Sequence, residues 1–371
     1  MKYYCSDIFQ NIYIDLHNDD SIDVAPCCQA DIRTVLVKDF DFSKDAGLLQ
    51  MRNTVRAGGK DPRCHACWSM EESGGISRRM TVPQRDDRVE MRSLDINTTW
   101  ACNLACIMCG PHNSSTWAKE LGIREIYDTG RVALRQMGRS FQKRNKFWDH
   151  LDFNRVDSVH FNGGEPLINS NHRDILESIR DQGDLSQVSV SYNTNATQPV
   201  DESTISLWNQ ARSVILYLSI DAINSAFEYI RWPANWHQVQ ENIRQIQNQV
   251  GSTVEIGVNF TLGCYNVLEM VDVYQWYRSN IFQKQQYKLD QGVDNFNWQI
   301  AQDFDLCFLN DTARAAAISS LSAVPRFNSL IDYLSKNQHR DDRWIDHLQE
   351  IDQRRGTNWR QNLKIATYYN H

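Results

Sequence analysis

Strand-like and helix-like stretches alternate from Arg92 onward, and this alternation restricts the possible folds more than any other feature of the chain. Five stretches are candidates for strands: SLDINTT, SVHFNGG, QVSVSYNTN, VILYLSID and TVEIGVNFTL. The stretches between them have helical periodicity: Ser114–Leu121, Asn171–Gln182, Glu202–Arg212 and Trp236–Val250. Strands that alternate with helices predict a parallel sheet with right-handed crossovers, closed or partly closed into a barrel.

The regions around these five strands complete the predicted α/β fold. A sixth strand is predicted at Phe296–Ala301, so residues 89–305 are expected to form a partial (β/α)6 TIM-like barrel. Residues 122–150 are longer than an ordinary link between a strand and a helix, and we predict an inserted helix there. After Asp311 apolar residues recur at helical spacing, so residues 306–371 are predicted to form a helical C-terminal extension.

Residues 1–88 have a different character, because turn-forming pieces such as HNDDS, AGGKDPRC and EESGG interrupt them. Two short runs in this part, Asn11–Leu16 and Arg33–Val37, have the pattern of strands. Five of the ten cysteines also fall here, at positions 5, 27, 28, 64 and 67. We therefore predict that residues 1–88 are otherwise irregular and form a small cysteine-rich metal-binding module.

The composition restricts the class of protein. A hydrophobic fraction of 41% in 371 residues is sufficient for a sizeable core. The net charge of -7 and the pI near 5.8 argue against a dedicated nucleic-acid binder. Basic residues cluster between Arg131 and Lys146, so a local basic patch that contacts nucleic acid stays an alternative. The N-terminal stretch has no apolar core of a secretory signal, and no run approaches the roughly 18 apolar residues of a membrane helix. We expect a cytoplasmic protein whose cysteines serve metal or redox chemistry.

Three cysteines lie within eight residues, because Cys102, Cys106 and Cys109 share the segment TWACNLACIMCGPHNSSTW. A structural zinc site ordinarily closes with four ligands. Three thiolates on one loop instead leave a metal centre with an open coordination position, where a substrate or cofactor can bind. Cys264 and Cys307 each stand alone and are predicted to be ordinary buried thiols.

Further motifs follow the predicted strands. NGGEP ends the second strand, YNTNAT the third and SIDA the fourth. Because the carboxyl ends of barrel strands surround one opening, these motifs and the three-cysteine loop are predicted to face one active site. Taken singly, each motif has a structural interpretation as well. A GGE sequence is also a turn with a solvated acid, SID is also a strand with a cap, and Arg231 is also a surface ion-pair residue.

The C-x3-C-x2-C spacing together with these motifs in this order resembles the radical S-adenosylmethionine (SAM) enzymes. The resemblance implies that Cys102, Cys106 and Cys109 hold a [4Fe–4S] cluster whose fourth iron binds the amino and carboxylate groups of SAM. It also implies cleavage of SAM to a 5′-deoxyadenosyl radical that takes a hydrogen atom from substrate. The electron for this cleavage is implied to come from an external donor of the flavodoxin or ferredoxin type.

The same resemblance assigns residues to the SAM site. Gly163, Gly164 and Glu165 match the motif that holds the SAM amino group, and Arg231 matches an arginine that pairs with the SAM carboxylate. Met108 stands where the family usually has an aromatic residue that touches the adenine, and it is still apolar and polarisable.

Five polar residues at later strand ends complete the implied SAM site. Asn195 and Thr197 are implied to lie near the ribose, and Ser219 to contact the ribose or the carboxylate. Asp221 ends the fourth strand and is implied to face the same pocket. Asn259, on the fifth strand, is implied to contact the adenine or the ribose.

The N-terminal cysteines suggest a second metal site. Cys64 and Cys67 form a C-x2-C pair, and Cys5 with one of the adjacent Cys27 and Cys28 completes four ligands, of which we favour Cys27. A C-x2-C pair fits a zinc knuckle. The arrangement also resembles the SPASM or twitch extensions of radical SAM proteins, which carry auxiliary [4Fe–4S] clusters. Here the module precedes the barrel and its turn, NDDSID, lacks glycine. We predict an auxiliary iron–sulfur cluster and keep zinc as the alternative.

The substrate follows only from the resemblance. Family members with auxiliary clusters modify ribosomally made peptides, proteins, sugars or nucleosides, and we expect a peptide to be modified by a thioether, a carbon–carbon crosslink or an epimerisation. The alternative is the same radical chemistry on a nucleoside, sugar or other small metabolite. A non-catalytic metal-binding scaffold is the alternative of another class. SAM cleavage under a strong reductant would exclude the scaffold.

Overall fold

Two compact units make up the chain. The computed structural model describes residues 3–16, 21–72, 75–123, 125–128, 131–136, 147–285 and 294–369. The first unit consists of Met1–Cys102, Pro111–Tyr192 and Asp201–Val214. The second unit consists of Asn103–Gly110, Asn193–Val200 and Ile215–His371.

The strands of the first unit precede those of the second along the chain. The first unit contains β1 to β8: Asn11–Leu16, Ser21–Ala25, Arg33–Leu36, Ser93–Asn97, Glu125–Asp128, Arg131–Gln136, Ser158–Asn162 and Ser189–Thr194, the last two residues of β8 belonging to the second unit. The second unit contains most of β9 and all of β10 and β11: Ser213–Ser219, Val254–Leu262 and Phe296–Ile300.

Helices connect these strands in both units. The first unit contains α1 to α7: Asp7–Gln10, Ala46–Arg56, His65–Glu72, Arg78–Thr81, Ser115–Glu120, Asn171–Gln182 and Glu202–Gln210. The second unit contains α8 to α14: Asn224–Ile230, Trp236–Gln249, Met270–Asn280, Asp311–Leu321, Asn328–Lys336, Arg343–Arg355 and Trp359–Asn362. In the part of the chain that the structure describes, every helix is too short or too polar to cross a membrane.

The sheet of the first unit has one polar and one apolar face. Its strand order is β8-β7-β4-β1-β2-β3, in which the strands from β8 to β1 are parallel and β2 and β3 are antiparallel to their neighbours. The register places Tyr13 opposite Asp95, Asp95 opposite His160 and His160 opposite Ser191. Because side chains alternate along a strand, the other face carries the core residues, among them the fully buried Phe161.

The second unit is built on β9, β10 and β11, which are neighbours in that order. β10 and β11 are parallel, with Val258 opposite Phe296. The helices that follow β11 each bury an apolar stripe, represented by Leu321 of α11, Leu334 of α12 and Leu348 of α13, all 0% exposed. These stripes follow the 3.6-residue period that marks the helices in the sequence.

The six strands predicted for the barrel are all confirmed to within two residues, as β4, β7, β8, β9, β10 and β11. The α/β class with a parallel sheet is therefore correct. The four helices predicted between the strands are also present, and α6 has the predicted bounds. Closure of the barrel and the domain boundaries at 88/89 and 305/306 stay predictions.

Two predictions about irregular regions are wrong. The inserted helix expected at residues 122–150 is in its first half an antiparallel pair, β5 and β6, with Glu125 opposite Gln136. Residues 137–146 lie outside the described part of the chain, as do the side chains of the whole basic stretch. In residues 1–88 the two predicted strands are present as β1 and β3. This part is nevertheless more regular than expected, because it also contains β2 and the eleven-residue α2.

Candidate functional site

The GGE loop of the first unit packs directly on the backbone that precedes Cys102. The amide of Gly164 donates to the Thr99 carbonyl at 2.6 Å, and the amide of Glu165 donates to the Ala101 carbonyl at 2.9 Å. A Cβ atom on Gly163 would lie 2.2 Å from the Thr99 oxygen, and one on Gly164 would lie 2.4 Å from the Ala101 oxygen. Gly163 also has a φ of +131°, which favours glycine. Only glycine fits at these positions.

This close packing predicts a large cost for a single methyl group. Gly163→Ala is expected to lower the free energy of unfolding by about 2–4 kcal/mol, from the clash with the Thr99 carbonyl and the strained backbone. Denaturant unfolding measures this cost. Gly110→Ala is the matched control, since a Cβ there meets open space. Equal stability of the two variants would contradict the observed packing.

Cys102 is held at the start of α5. Its amide donates to Ser115 Oγ at 3.1 Å, and Thr116 Oγ1 donates to its carbonyl at 2.7 Å. Ser114 caps the helix, because its Oγ accepts from the Trp117 amide at 3.1 Å. The Cys102 side chain is buried. The backbone of Cys102 is therefore fixed by two residues of the first turn of α5, Ser115 and Thr116.

Glu165 lies beside the same loop and is 1% exposed. Its Oε1 accepts from the Leu167 amide at 3.1 Å, so the carboxylate caps the turn that follows β7. The predicted contact of this carboxylate with the SAM amino group stays a prediction.

In the second unit, the cysteine loop pairs with the segment that carries Arg231. The Ala105 amide donates to the Trp232 carbonyl at 2.6 Å, and the Ile107 amide donates to the Ile230 carbonyl at 2.9 Å. These two bonds bracket Arg231 and bring its side chain next to the loop. Arg231 therefore belongs to a buried ionic group beside the cysteine loop.

Arg231 contacts both a carboxylate and a cysteine. Its Nη2 lies 2.6 Å from Asp221 Oδ2, and its Nη1 donates to Cys106 Sγ at 3.8 Å. Burial opposes the guanidinium charge, but Asp221 and Cys106 outweigh it and raise the pKa of Arg231 above its ordinary value. Burial also raises the pKa of Asp221, while Arg231 and the Thr261 amide, at 2.7 Å, stabilise its ionised form. The buried Nε of Arg231 has no partner among the described residues.

This buried pair makes a stability prediction. Arg231→Ala should lower the free energy of unfolding by about 3–5 kcal/mol, because the Asp221 carboxylate would remain buried without its cation. The double variant Arg231→Ala/Asp221→Asn should recover most of the loss, since a neutral amide at position 221 can still accept from the Thr261 amide. Denaturant unfolding measures both. A double variant no more stable than Arg231→Ala would contradict the ionic explanation.

The predicted ribose residues lie in one hydrogen-bonded group of the second unit. Asn103 Nδ2 donates to Thr197 Oγ1 at 2.8 Å, and Asn195 Nδ2 donates to Asn103 Oδ1 at 3.2 Å. Asn195 and Thr197 are thus joined to the cysteine loop through Asn103, a residue that the sequence analysis missed. Its position directly after the first cysteine was the available signal.

Two further predicted residues lie on strands of the second unit. Asn259 Nδ2 donates to Asn193 Oδ1 at 2.6 Å, and Asn297 Nδ2 donates to Asn259 Oδ1 at 3.2 Å. Ser219 is half-buried at the end of β9. The amide ladder on β10 and β11 gives a polar strip that can bind hydrogen-bonding groups of a ligand.

Met108 and Cys109 line a cavity of about 400 Å³ in the second unit. Its wall also contains the aromatic side chains of Phe304 and Trp344 and the imidazole of His347. Burial lowers the pKa of His347, which keeps the ring neutral near pH 7. A cavity with flat aromatic rings and a thioether can bind a heteroaromatic ring.

Four cysteines of the first unit come together. Cys5, Cys27, Cys64 and Cys67 line one small cavity of about 20 Å³, and the Cys64 sulfur interacts electrostatically with the other three. Burial raises the pKa of Cys5 and of Cys27 to about 12. Cys28 is the exposed member of the adjacent pair, and its Sγ accepts from Arg78 Nη1 at 3.9 Å. The cavity therefore contains the four cysteines favoured as ligands.

Cysteine sulfur is the donor that iron–sulfur clusters use, and a site of four thiols matches that donor set. Of the residues that the structure describes, no three His, Cys, Asp or Glu side chains are grouped for a single metal ion. The three cysteines of the motif are divided, since Cys102 belongs to the first unit and Cys106 and Cys109 to the second.

Comparisons with known proteins give distant likenesses only. No family model and no curated protein matches the chain. Among solved structures, the chain is similar to native anSMEcpe with bound AdoMet, with a TM-score of 0.40, 16% identity and coverage of 67% of this chain and 63% of that chain. It therefore spans less than two thirds of that structure.

The chain is also similar to Streptococcus suis SuiB in two states. For SuiB bound to S-adenosylmethionine the TM-score is 0.37, with 12% identity over 78% of this chain and 71% of that chain. For SuiB bound to precursor peptide SuiA the TM-score is 0.36, with 14% identity over 91% of this chain and 75% of that chain. Likenesses this distant decide neither fold nor function.

Proposed function

We propose that this protein is a radical SAM enzyme, with Cys102, Cys106 and Cys109 as ligands of a [4Fe–4S] cluster. The observation that carries the proposal is the packing of the GGE loop on the backbone just before Cys102, where a Cβ on Gly163 or Gly164 would lie within 2.4 Å of a carbonyl oxygen. This contact joins two of the motifs that carry the resemblance to the radical SAM enzymes. A solvated turn would need no such glycines.

A [4Fe–4S] cluster with bound SAM supplies one-electron cleavage of a carbon–sulfur bond and a radical that takes hydrogen from substrate. The residues of this chain provide ligation and placement. Arg231 donates toward the sulfur of Cys106 and has an unpartnered Nε that suits an anionic group such as the SAM carboxylate. Glu165, Asn195 and Thr197 are proposed as contacts of the amino group and ribose.

The adenine of SAM is proposed to bind against Met108. The cavity lined by Met108 also contains Phe304 and Trp344, whose rings suit a purine. We propose Ser219, Asp221 and Asn259 as the remaining polar residues of the SAM site, with Asp221 acting through its ion pair with Arg231.

Residues 1–88 are proposed to carry an auxiliary [4Fe–4S] cluster on Cys5, Cys27, Cys64 and Cys67. The shared cavity of these four cysteines supports this proposal. Four thiol ligands leave no open iron, which suits a cluster that accepts an electron. Residues 89–305 would form the partial barrel and residues 306–371 the helical extension. A zinc site on the same cysteines is the alternative.

A peptide is the proposed substrate, and a nucleoside, sugar or other small metabolite is the alternative. An external one-electron donor of the flavodoxin or ferredoxin type would supply the reducing electron. The other alternative, a non-catalytic metal-binding scaffold, would not cleave SAM.

SAM binding to a reduced cluster tests the proposed enzyme class. Anaerobically reconstituted protein, reduced with dithionite, should give an electron paramagnetic resonance (EPR) signal that changes when SAM is added, because SAM would bind the open iron. S-adenosylhomocysteine, a SAM analogue without the sulfonium methyl, is the comparison ligand for specificity. A signal that no SAM concentration alters would contradict the proposal.

A further inference from the structure

The helix α13, Arg343–Arg355, lies beside the cysteine loop of the second unit and has no assigned role. Its residues Trp344 and His347 line one cavity with Cys109. The His347 ring is hydrogen-bonded to the backbone of Ile107. Trp344 and His347 are three residues apart and therefore share one face of the helix. This face contacts the loop that carries two of the proposed cluster ligands.

Arg355, the last residue of α13, bonds directly to the cysteine loop. It follows His347 by eight residues and lies on the same side of the helix. Its Nη2 donates to the Ala105 carbonyl at 2.9 Å. Ala105 is 0% exposed, and its carbonyl belongs to the peptide bond that it shares with Cys106. A half-buried guanidinium therefore lies against the peptide group that carries Cys106.

The end of α13 holds Arg355 in a defined place. Gly356 has a φ of +67°, and its amide donates to the Asp352 carbonyl at 2.8 Å, which ends the helix. The Asp352 carboxylate accepts from Thr357 Oγ1 at 2.7 Å and from the Trp359 amide at 2.9 Å. These bonds fix the turn directly after Arg355, so its side chain extends from a rigid backbone.

The peptide group that Arg355 contacts is fixed from its other end as well. The Ala105 amide donates to the Trp232 carbonyl at 2.6 Å, so both backbone groups of Ala105 are bonded. A neutral donor would satisfy a buried carbonyl as completely as a guanidinium does. The guanidinium adds a positive charge next to Cys106, and solvent ions screen a partly buried charge much less than an exposed one.

We propose that Arg355 is a positioning residue of the SAM-binding cluster, which holds Cys106 through the Ala105 carbonyl and raises the reduction potential of the cluster by its charge. The inference rests on the proposed function, in which Cys106 is a cluster ligand. Reduction adds negative charge to the cluster, and a fixed positive charge beside a ligand stabilises the reduced state. The helix α13 is then part of the cluster site.

Arg355→Gln tests this role, because it removes the charge and keeps a polar side chain. In an EPR-monitored redox titration of the anaerobically reconstituted protein, the signal that responds to SAM should move to a more negative midpoint potential. Arg355→Lys keeps the positive charge, and its midpoint potential should stay close to the wild-type value. Arg354→Gln is the matched control. It removes the same charge from the adjacent, exposed position and should leave the potential unchanged.

Citrulline at position 355 separates the charge from the hydrogen bond. Citrulline has nearly the shape of arginine and keeps N–H donors for the Ala105 carbonyl, but its urea group is neutral. The midpoint potential should again become more negative, although the contact with the loop is kept. Because this variant preserves the hydrogen bond, it also decides the matter if Arg355→Gln does not fold.

The outcomes separate this inference from the proposed function. A SAM-responsive cluster whose potential is the same with arginine, glutamine and citrulline at position 355 would overturn the role of Arg355 and leave the proposed function intact. Wild-type protein that binds no SAM-responsive cluster would overturn both. Equal shifts in Arg354→Gln and Arg355→Gln would overturn the inference, because a general loss of positive charge would then explain them. A shift in Arg355→Lys as large as that in Arg355→Gln would also overturn it.

Discussion

Replacing Cys106 by alanine is expected to abolish formation of 5′-deoxyadenosine from SAM. The proposed cluster would lose one of its three thiolate ligands, and the nearby Arg231 cannot replace a thiolate. Cys102→Ala and Cys109→Ala should have the same effect. Liquid chromatography of the anaerobic reaction with dithionite measures the product.

Cys307→Ala is the matched control for this experiment. It removes a half-buried thiol of the second unit that is outside the motif, and product formation should continue at the wild-type rate. Circular dichroism should show that all four variants are folded, since loops contribute little to the core. Wild-type product formation by Cys106→Ala would refute the role of the three-cysteine motif.

Cys64→Ala is expected to remove about four irons from a protein that holds about eight when reconstituted, because each of the two proposed clusters contains four irons. Cys64 lies in the cavity with Cys5, Cys27 and Cys67, so its loss leaves the auxiliary cluster with three thiolates. Cleavage of SAM without substrate should stay measurable, since that chemistry belongs to the other cluster. Metal analysis and the SAM cleavage assay give the two readouts.

Cys28→Ala is the control for the N-terminal site. Cys28 is exposed and accepts from Arg78, so the iron content should be unchanged. Cys27→Ala should behave like Cys64→Ala. A metal content of one zinc and four irons in the wild-type protein would show that the N-terminal cysteines bind zinc and not an auxiliary cluster. Loss of iron in Cys28→Ala but not in Cys27→Ala would show that the ligand of the pair was assigned wrongly.

Several strands of the barrel region could be predicted from the sequence because buried and less buried residues alternate along them. β8 and β9, for example, alternate between half-buried and buried residues along their whole length. Alternation of this kind depends on neighbouring residues alone. The pairing of β1 with β4 could not be predicted in the same way, because 76 residues separate Leu16 from Ser93 and nothing local specifies the partner strand.

The residues of the candidate site were predicted from motifs, but most of their contacts were not. GGE was implied to hold the SAM amino group, and the structure adds that its two glycines pack against the carbonyl groups of Thr99 and Ala101. Arg231 was predicted as a ligand of SAM, whereas its ion pair with Asp221 depends on how the ends of β9 and α8 pack.

The choice between Cys27 and Cys28 illustrates the same limit. Adjacent residues in an extended or turning chain point in different directions, so sequence alone leaves the pair nearly equivalent. The fold decides it, since Cys27 is 7% exposed and lines the cysteine cavity while Cys28 is exposed. The strands β5 and β6 were not predicted, because they lie in an unusually long connection between β4 and β7 that was interpreted as an inserted helix.

The most direct test of the central claim is SAM cleavage by the wild-type protein. Anaerobically reconstituted protein with dithionite and SAM should release 5′-deoxyadenosine and methionine in equal amounts, and omission of either the iron or the reductant should stop both. Unreacted SAM, from protein that holds a reduced four-iron cluster, would contradict the proposal that this chain is a radical SAM enzyme.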